Sequence, residues 1–304
     1  IYDFAVDSKQ QKFKQWDSTS TVDFDSKTMN MASVFVPTVE TSSLIFFMDM
    51  MLKARKPIMF VGPAGSGKTQ VVKGRLGALN PEESLFQTIN FNYFTDVITF
   101  QKTLESTLEK KAGINYAPPG TKKLVYFIDD MNMPKLDKYD TAMPLSLIRQ
   151  HLGWGHWFDR TKLTYKNINN TQYVACMNPT AGSFIINPRL QRLFMTLAVE
   201  FPCQESLMKI FGTFLQSHME KSGFGEECEQ MGTKIIQAAL TLHNKVCSTF
   251  RKTAVNFHYE FNVRHLTNLF QGLLLATPEN YPTTSKLCKL WLHESERVYA
   301  DRLV

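Results

Sequence analysis

A glycine-rich stretch, PIMFVGPAGSGKTQVVKG at 57–74, combines residue types and spacing that suit phosphate binding. It matches the pattern G-x-x-x-x-G-K-[ST], whose glycines let successive backbone N–H groups point at phosphate oxygens. In this pattern the lysine reaches the β- and γ-phosphates, and the threonine hydroxyl binds Mg²⁺. We therefore predict that ATP or ADP with Mg²⁺ binds residues 62–70, which are Gly62, Pro63, Ala64, Gly65, Ser66, Gly67, Lys68, Thr69 and Gln70.

Two acidic residues close the apolar run KKLVYFIDD, residues 122–130. Asp129 is expected at the carboxyl edge of a sheet, where the ligands of such sheets bind, and there it would hold Mg²⁺. Asp130 would face the water that attacks the phosphate. Buried strands also end in Asp simply to begin a turn, so the acidic pair indicates a metal site only together with the glycine-rich loop.

Four further polar residues are candidates for the same site. Asn178 follows the apolar run YVACM and would orient the attacking water, although Asn-Pro also favours the start of a turn. Arg189 and Arg192 lie three apart in NPRLQRLF, on one face of a predicted helix. They are either surface charges or an arginine finger for the nucleotide of an adjacent subunit. Arg264 opens a later helix and would fold back onto the nucleotide.

The elements that must position these residues follow from the hydrophobic pattern. Short apolar runs near 58–61, 85–94, 122–130, 171–179 and 197–202 alternate with helical segments, including one predicted at 97–111. This pattern predicts an α/β fold with a parallel five-stranded sheet between helices. After Pro202 the periodicity is helical only. We expect a lead-in at 1–43, an α/β nucleotide-binding part at 44–201 and a small all-helical part at 202–304.

Composition narrows the function classes. The charge of +6 comes from 34 basic and 28 acidic residues among 304, and such a surplus does not call for a nucleic-acid partner. The longest early apolar run, LIFFMDMML, is too short to span a membrane. Five dispersed cysteines favour reduced thiols in the cytosol over disulfides or a zinc site. The chain begins without methionine or a signal sequence, so we expect a segment of a longer protein.

The order of these motifs resembles that of the AAA+ ATPases. Longer stretches, KKAGINYAPPGTKKLVYFIDDMNMPKLDKY, IRQHLGWGHWFDRTKL and YVACMNPTAGSFIINPRLQRLF, are similar to the third AAA+ module of axonemal dynein heavy chains, most of all the outer-arm β type. The resemblance implies a large α/β and a small helical AAA+ subdomain, with adenine near Val36 and Pro37. It also implies neighbouring modules of the same chain as partners, microtubule contact only through the full-length motor, and a cytoskeletal location in the axoneme of a cilium or flagellum.

The same resemblance assigns catalytic roles to Asp130, Asn178 and Arg264, but this sequence departs from the AAA+ pattern at one of them. The second acid is usually Glu, and Asp130 is one methylene shorter. A misplacement of about 1 Å can cost on the order of 10²-fold in rate. The arginine finger for this nucleotide would come from the next module. We therefore expect a regulatory module that binds Mg-nucleotide and hydrolyses ATP slowly; the alternatives are a structural module that keeps ADP and an independent P-loop remodelling ATPase.

Overall fold

The protein divides into two compact units. The structure, a computed structural model, describes residues 4–7, 11–16, 22–180 and 185–303. One unit comprises residues 44–200, and the other combines residues 1–43 with 201–304. We refer to them as the α/β unit and the helical unit. The segment at 1–43, which the sequence sets apart as a lead-in, is thus grouped with the carboxyl-terminal helices.

Among the described residues, strands and helices are interspersed up to residue 198, and only helices follow. The strands are β1 (Phe4–Asp7), β2 (Lys12–Gln15), β3 (Ile58–Val61), β4 (Ser84–Asn90), β5 (Glu109–Lys110), β6 (Asn115–Ala117), β7 (Lys123–Asp129), β8 (His156–Phe158), β9 (Tyr165–Ile168), β10 (Thr171–Met177) and β11 (Met195–Ala198). The helices are α1 (Val39–Ala54), α2 (Lys68–Gly77), α3 (Val97–Glu105), α4 (Met143–Trp154), α5 (Pro188–Gln191), α6 (Gln204–Ser222), α7 (Glu226–Thr249), α8 (Val263–Leu273) and α9 (Thr284–Tyr299).

The main sheet of the α/β unit has five strands in the order β11-β3-β10-β7-β4. All four neighbouring pairs are parallel. The predicted parallel five-stranded sheet between helices is therefore confirmed. The fifth strand begins and ends earlier than the predicted 197–202, because its partner β3 has only four residues before the glycine-rich loop and the register pairs Met195 with Ile58 and Ala198 with Val61.

Side-chain alternation along the sheet builds a separate core on each face. Along β7, even-numbered residues from Leu124 to Ile128 join one hydrophobic cluster, and Val125 and Phe127 join the other. The first cluster also contains residues of α3 and α4, and the second contains residues of α1 and α2. Because successive strand side chains point to opposite faces, a strand buried on both faces must be apolar at nearly every position. The run LVYFI meets that requirement.

A second, four-stranded sheet, in the order β5-β6-β9-β8, interrupts the α/β alternation. The predicted helix at 97–111 is wrong over its last part: α3 ends at Glu105, and β5 begins at Glu109. The side chain of Glu105 contacts the second sheet: it accepts a hydrogen bond from the indole of the fully buried Trp157 at 2.8 Å and pairs with Lys166 at 2.9 Å. These contacts fix the end of α3 against the β8–β9 hairpin.

The helical unit packs α6 to α9 around one core that residues of the lead-in complete. Phe24 is fully buried and meets Phe214 of α6 edge-on, with ring centroids 4.8 Å apart. The Ser26 hydroxyl lies 2.7 Å from Nδ1 of His218. These two contacts anchor residues 24–26 of the lead-in to α6. No helix among the described residues is long and apolar enough to cross a membrane.

Candidate functional site

The glycine-rich loop connects β3 to α2 at the carboxyl edge of the main sheet. Gly65 and Gly67 have φ angles of 80° and 86°, which only glycine adopts readily, and Gly67 is the N-cap of α2. The loop therefore ends at a helix N-terminus, where free N–H groups and the helix dipole favour an anion. This is the local geometry that the motif predicts.

Two neighbouring strands hold the start of the loop. The N–H of Gly62 donates to the carbonyl of Met177 in β10 at 3.2 Å, and the N–H of Val199 donates to Val61 at 2.7 Å. A β-carbon at position 62 would overlap the backbone carbonyl of Val199. A side chain is thus excluded at Gly62 because β11 approaches the loop closely.

Lys68 is the first residue of α2 and is 92% buried, with 8% of its surface exposed. Its Nζ donates to the carbonyls of Gly62 and Pro63, each at 2.7 Å, and lies 3.2 Å from the Ser66 hydroxyl. The loop therefore wraps around a single ammonium group. These three contacts match the three N–H donors of the ammonium group, so binding a nucleotide would exchange loop oxygens for phosphate oxygens at Lys68.

Thr69 and Asp129 come together as the predicted metal pair. The Thr69 hydroxyl lies 3.1 Å from Oδ1 and 3.0 Å from Oδ2 of Asp129, the last residue of β7. Hydroxyl and carboxylate oxygens suit Mg²⁺, which keeps several water or phosphate ligands of its own. The described residues contain no group of three or more His, Cys, Asp and Glu side chains that could hold a metal ion alone. The pair therefore fits a Mg²⁺ that shares its coordination with phosphates.

Asp130 is exposed, and its backbone is left-handed, with φ at 53°. Asp and Asn tolerate this conformation better than other residues with a side chain. The turn is fixed by the N–H of Met131, which donates to the Cys176 carbonyl of β10 at 3.0 Å. Asp130 is thus a turn residue as well as the second acid. This geometry gives a physical reason for Asp at a position where the AAA+ pattern has Glu.

Cys176 is buried beside these charges. Burial raises the pKa of its thiol well above the ordinary value, and the negative charge of Asp129 raises it further. Lys68 and Asp130 also act on this thiol through their charges. The loop lysine and both strand-end acids therefore lie around one buried position of β10, as their placement at one sheet edge predicts.

Asn178 follows β10 and is buried. Its side-chain oxygen accepts hydrogen bonds from the backbone N–H and the hydroxyl of Thr180, at 3.1 and 2.8 Å. The turn that Asn-Pro favours is therefore present. Its backbone carbonyl accepts a hydrogen bond from Nδ2 of Asn132 at 2.9 Å. Asn132 was not predicted as a site residue from the sequence. Its position two residues after Asp130 is the one sequence feature that connects it with the site.

The two arginines near 190 lie on a shorter helix than predicted. Helix α5 ends at Gln191, so Arg192 is its C-cap and not a residue within a continuing helix. The helix stops because Leu190 and Phe194 are buried and Met195 already donates to the sheet at Pro57. Arg192 keeps a helical backbone, with φ at −58°, so the two arginines still lie one turn apart. Both are exposed.

The remaining predicted residues belong to the helical unit. Arg264 is exposed in the first turn of α8, where its N–H donates to the capping side chain of Asn262 at 3.0 Å. Val36 is buried in the core of the helical unit, and Pro37 is half-buried. The structure thus places the loop and its metal pair in one unit and these three residues in the other. Their part in nucleotide binding stays a prediction.

Comparison with known proteins identifies relatives over the whole chain. The sequence family described as the P-loop containing dynein motor region matches residues 24–202, and the AAA+ lid domain family matches residues 235–304. The chain is 71% identical to the "Dynein alpha chain, flagellar outer arm" of Chlamydomonas reinhardtii. It is 48% identical to human "Dynein axonemal heavy chain 17" and 45% identical to the "Dynein beta chain, ciliary" of Tripneustes gratilla. Each match covers 100% of this chain and 7% of the relative.

Proposed function

The chain belongs to the dynein motor-region family of AAA+ P-loop proteins, and from that premise we propose that it is a regulatory nucleotide-binding module of a larger motor ring. The resemblance to axonemal dynein heavy chains is confirmed, and the identity to an outer-arm α chain, 71%, exceeds the 45% to a ciliary β chain. The chain spans about 7% of the length of these relatives. We assign it to the third module of a heavy chain in the axoneme of a cilium or flagellum.

One observation carries the proposal: the Thr69 hydroxyl lies within 3.1 Å of both carboxylate oxygens of Asp129. The pair would hold Mg²⁺, which supplies charge neutralisation between the β- and γ-phosphates. Lys68 would bind the same phosphates, and the N–H groups of residues 65–69 would donate hydrogen bonds to the phosphate oxygens. From the family resemblance we further propose Val36 and Pro37 as adenine contacts and Arg264 as a phosphate contact.

Two partners follow from this proposal. Neighbouring AAA+ modules of the same heavy chain would contact the exposed Arg189 and Arg192, and a microtubule would be reached only through the full-length motor. The chain would sit in the cytoskeleton, and we propose neither a nucleic-acid nor a membrane partner. An independent remodelling ATPase fits less well, because every match reported above covers only a small part of a heavy chain.

The metal dependence of binding tests this function. We expect the chain to bind MgADP and MgATP in calorimetric titrations, and excess EDTA to weaken ATP affinity by about tenfold or more, because the two phosphates then lose the cation between them. Titration with MgGTP at the same concentration measures base preference. Equal ATP affinity with and without Mg²⁺ would contradict the assignment of Thr69 and Asp129.

The left-handed backbone of Asp130 favours a second candidate function, a structural module that keeps ADP without turnover. A carboxylate placed by a turn and one methylene short is a poor general base, since small misplacements cost large factors in rate. A module that hydrolyses ATP slowly uses Asp130 in turnover, whereas a module that keeps ADP does not. Substitution of Asp130 therefore distinguishes the two candidate functions.

We expect Asp130→Asn to leave MgATP affinity within about threefold of wild type and to remove residual hydrolysis, because the amide cannot accept a proton. Asp130→Glu is expected to raise the rate by less than the factor of about 10² that its reach alone would give, since the left-handed conformation costs the longer side chain roughly 1 kcal/mol. Single-turnover assays in a longer segment that includes the following module measure both. Asp140 is the matched control: it is an exposed aspartate with φ at 56° outside the site. Equal measurable rates for wild type and Asp130→Asn would remove Asp130 from the mechanism, whereas no turnover in either would assign the module to the ADP-holding class.

A further inference from the structure

We propose that Thr180 and Asn132 are positioning residues that orient Asn178 toward the terminal phosphate of a bound nucleotide. This inference rests on the nucleotide-binding function proposed above and deepens it. It concerns how the site distinguishes ATP from ADP. The evidence lies in the hydrogen bonds at the carboxyl end of β10.

Three successive backbone carbonyls at the end of β10 accept hydrogen bonds from the acidic turn on one side and from the phosphate loop on the other. The carbonyl of Cys176 accepts from the N–H of Met131 at 3.0 Å, and that of Met177 accepts from the N–H of Gly62 at 3.2 Å. The carbonyl of Asn178 accepts from Nδ2 of Asn132 at 2.9 Å. The end of β10 is therefore hydrogen-bonded to the acidic turn and to the phosphate loop. Asn178 stands where these two parts of the site are fixed to each other.

Hydrogen bonds from Thr180 determine whether the oxygen or the NH₂ group of the Asn178 side chain is available to a ligand. A backbone N–H can only donate, so the atom of Asn178 that faces the Thr180 N–H at 3.1 Å must be the amide oxygen. The Thr180 hydroxyl, 2.8 Å from the same oxygen, adds a second hydrogen bond. The acceptor half of the amide is therefore occupied, and its NH₂ group is the half that can donate to a phosphate oxygen.

Asn132 fixes the backbone from which that amide extends. Its side chain is 4% exposed, and Asn178 is 6% exposed, so the hydrogen bond between them is screened from water. Without the Asn132 amide, the carbonyl of Asn178 would lose a buried donor, which is costly. Asn132 would thus act on the nucleotide through Asn178. It is a positioning residue and not a catalytic one.

The sheet register indicates which phosphate Asn178 would meet. Ala175 pairs with Ile128, so Cys176 is level with Asp129, and Asn178 stands two residues further out than the proposed magnesium ligand. Two residues of strand correspond to about 6–7 Å along the strand direction, outward from the sheet edge. A Mg²⁺ held by Thr69 and Asp129 would neutralise charge on the β- and γ-phosphates, so a donor beyond Asp129 would suit the γ-phosphate. The oriented amide therefore favours ATP over ADP.

The test compares Thr180→Val with Thr180→Ser, because valine keeps the shape and serine keeps the hydroxyl. Calorimetric titrations of the chain use MgADP and the non-hydrolysable ATP analogue Mg-AMP-PNP. We expect Thr180→Val to weaken Mg-AMP-PNP binding roughly 3- to 10-fold, the effect of one hydrogen bond, with MgADP within about twofold of wild type. Thr180→Ser is expected to restore the wild-type ratio of the two affinities.

Asn132 and Asn178 supply independent arms of the same test. Asn178→Ala should lower the preference for Mg-AMP-PNP at least as much as Thr180→Val, and Asn132→Asp, which replaces the donor by an acceptor, should lower it too. Equal weakening of both nucleotides by Thr180→Val would overturn the inference, since that is the result of a purely structural role. An unchanged ratio in Asn178→Ala would also overturn it while leaving nucleotide binding in place. Failure of wild type to bind either nucleotide would instead reject the proposed function.

Discussion

Lys68→Ala is expected to weaken MgATP and MgADP binding by on the order of 10²-fold or more, because two charge-assisted hydrogen bonds to phosphate contribute about 1.5–3 kcal/mol each. Lys68 is buried and its ammonium group is surrounded by loop oxygens, and it is the one cationic residue in the loop at 62–70, so no other loop side chain can supply its charge. The fold should persist, since the loop is also fixed through Gly62 to Met177 of β10. The variant thus separates binding from folding.

The measurement pairs calorimetric titration with thermal unfolding. Ligand at 100 times its dissociation constant stabilises a protein by about 2.7 kcal/mol, so MgADP should raise the unfolding temperature of wild type and leave that of Lys68→Ala unchanged. Lys73→Ala is the matched control, because Lys73 is an exposed lysine on the same helix α2. It changes the net charge equally and should bind as wild type does. Wild-type affinity in folded Lys68→Ala would reject the loop as the phosphate site.

The phosphate and metal part of the site could be predicted from sequence because its determinants are local. Gly65 and Gly67 set the loop conformation within a few residues, and Asp129 ends an apolar run whose length fixes its place at the sheet edge. Parallel strands bring their carboxyl ends to one edge, so the meeting of Thr69 and Asp129 follows from topology. Motif pattern, spacing and sheet topology are therefore enough to predict the position of a site residue when its own strand or helix fixes that position.

Features that depend on distant contacts could not be predicted. The hydrogen bond of Asn132 to Asn178 joins residues 46 apart, and the left-handed backbone of Asp130 depends on the bond from Met131 to Cys176. The second sheet was missed because β5 has two residues and β6 three, too few for a period of two to show. The packing of the lead-in near Phe24 depends on Phe214, which lies far along the chain.

The arginines raise the question of which nucleotide each one serves. Arg189 and Arg192 are exposed at the end of the short helix α5, and Arg264 is exposed in the first turn of α8 in the helical unit. A guanidinium matches phosphate bidentately and stays protonated, so any of the three is chemically competent. The ring proposal separates them: Arg192, supported by Arg189, would reach across to a neighbouring module, and Arg264 would serve the module's own nucleotide.

We therefore expect Arg264→Ala to weaken MgADP and MgATP binding to the isolated chain by about 10- to 100-fold, the effect of one hydrogen bond to a charged group. Arg192→Ala should leave both affinities within about twofold in the isolated chain, because no neighbouring module is present for Arg192 to reach.

In the full heavy chain the same substitution should weaken nucleotide binding at the adjacent module, and Arg192→Lys should only partly restore that binding, since an ammonium lacks the bidentate geometry. Arg189→Ala is expected to show a smaller form of the Arg192→Ala effect. A large loss for Arg192→Ala in the isolated chain, with none for Arg264→Ala, would reverse the two assignments and leave the proposed ring interface without its arginine.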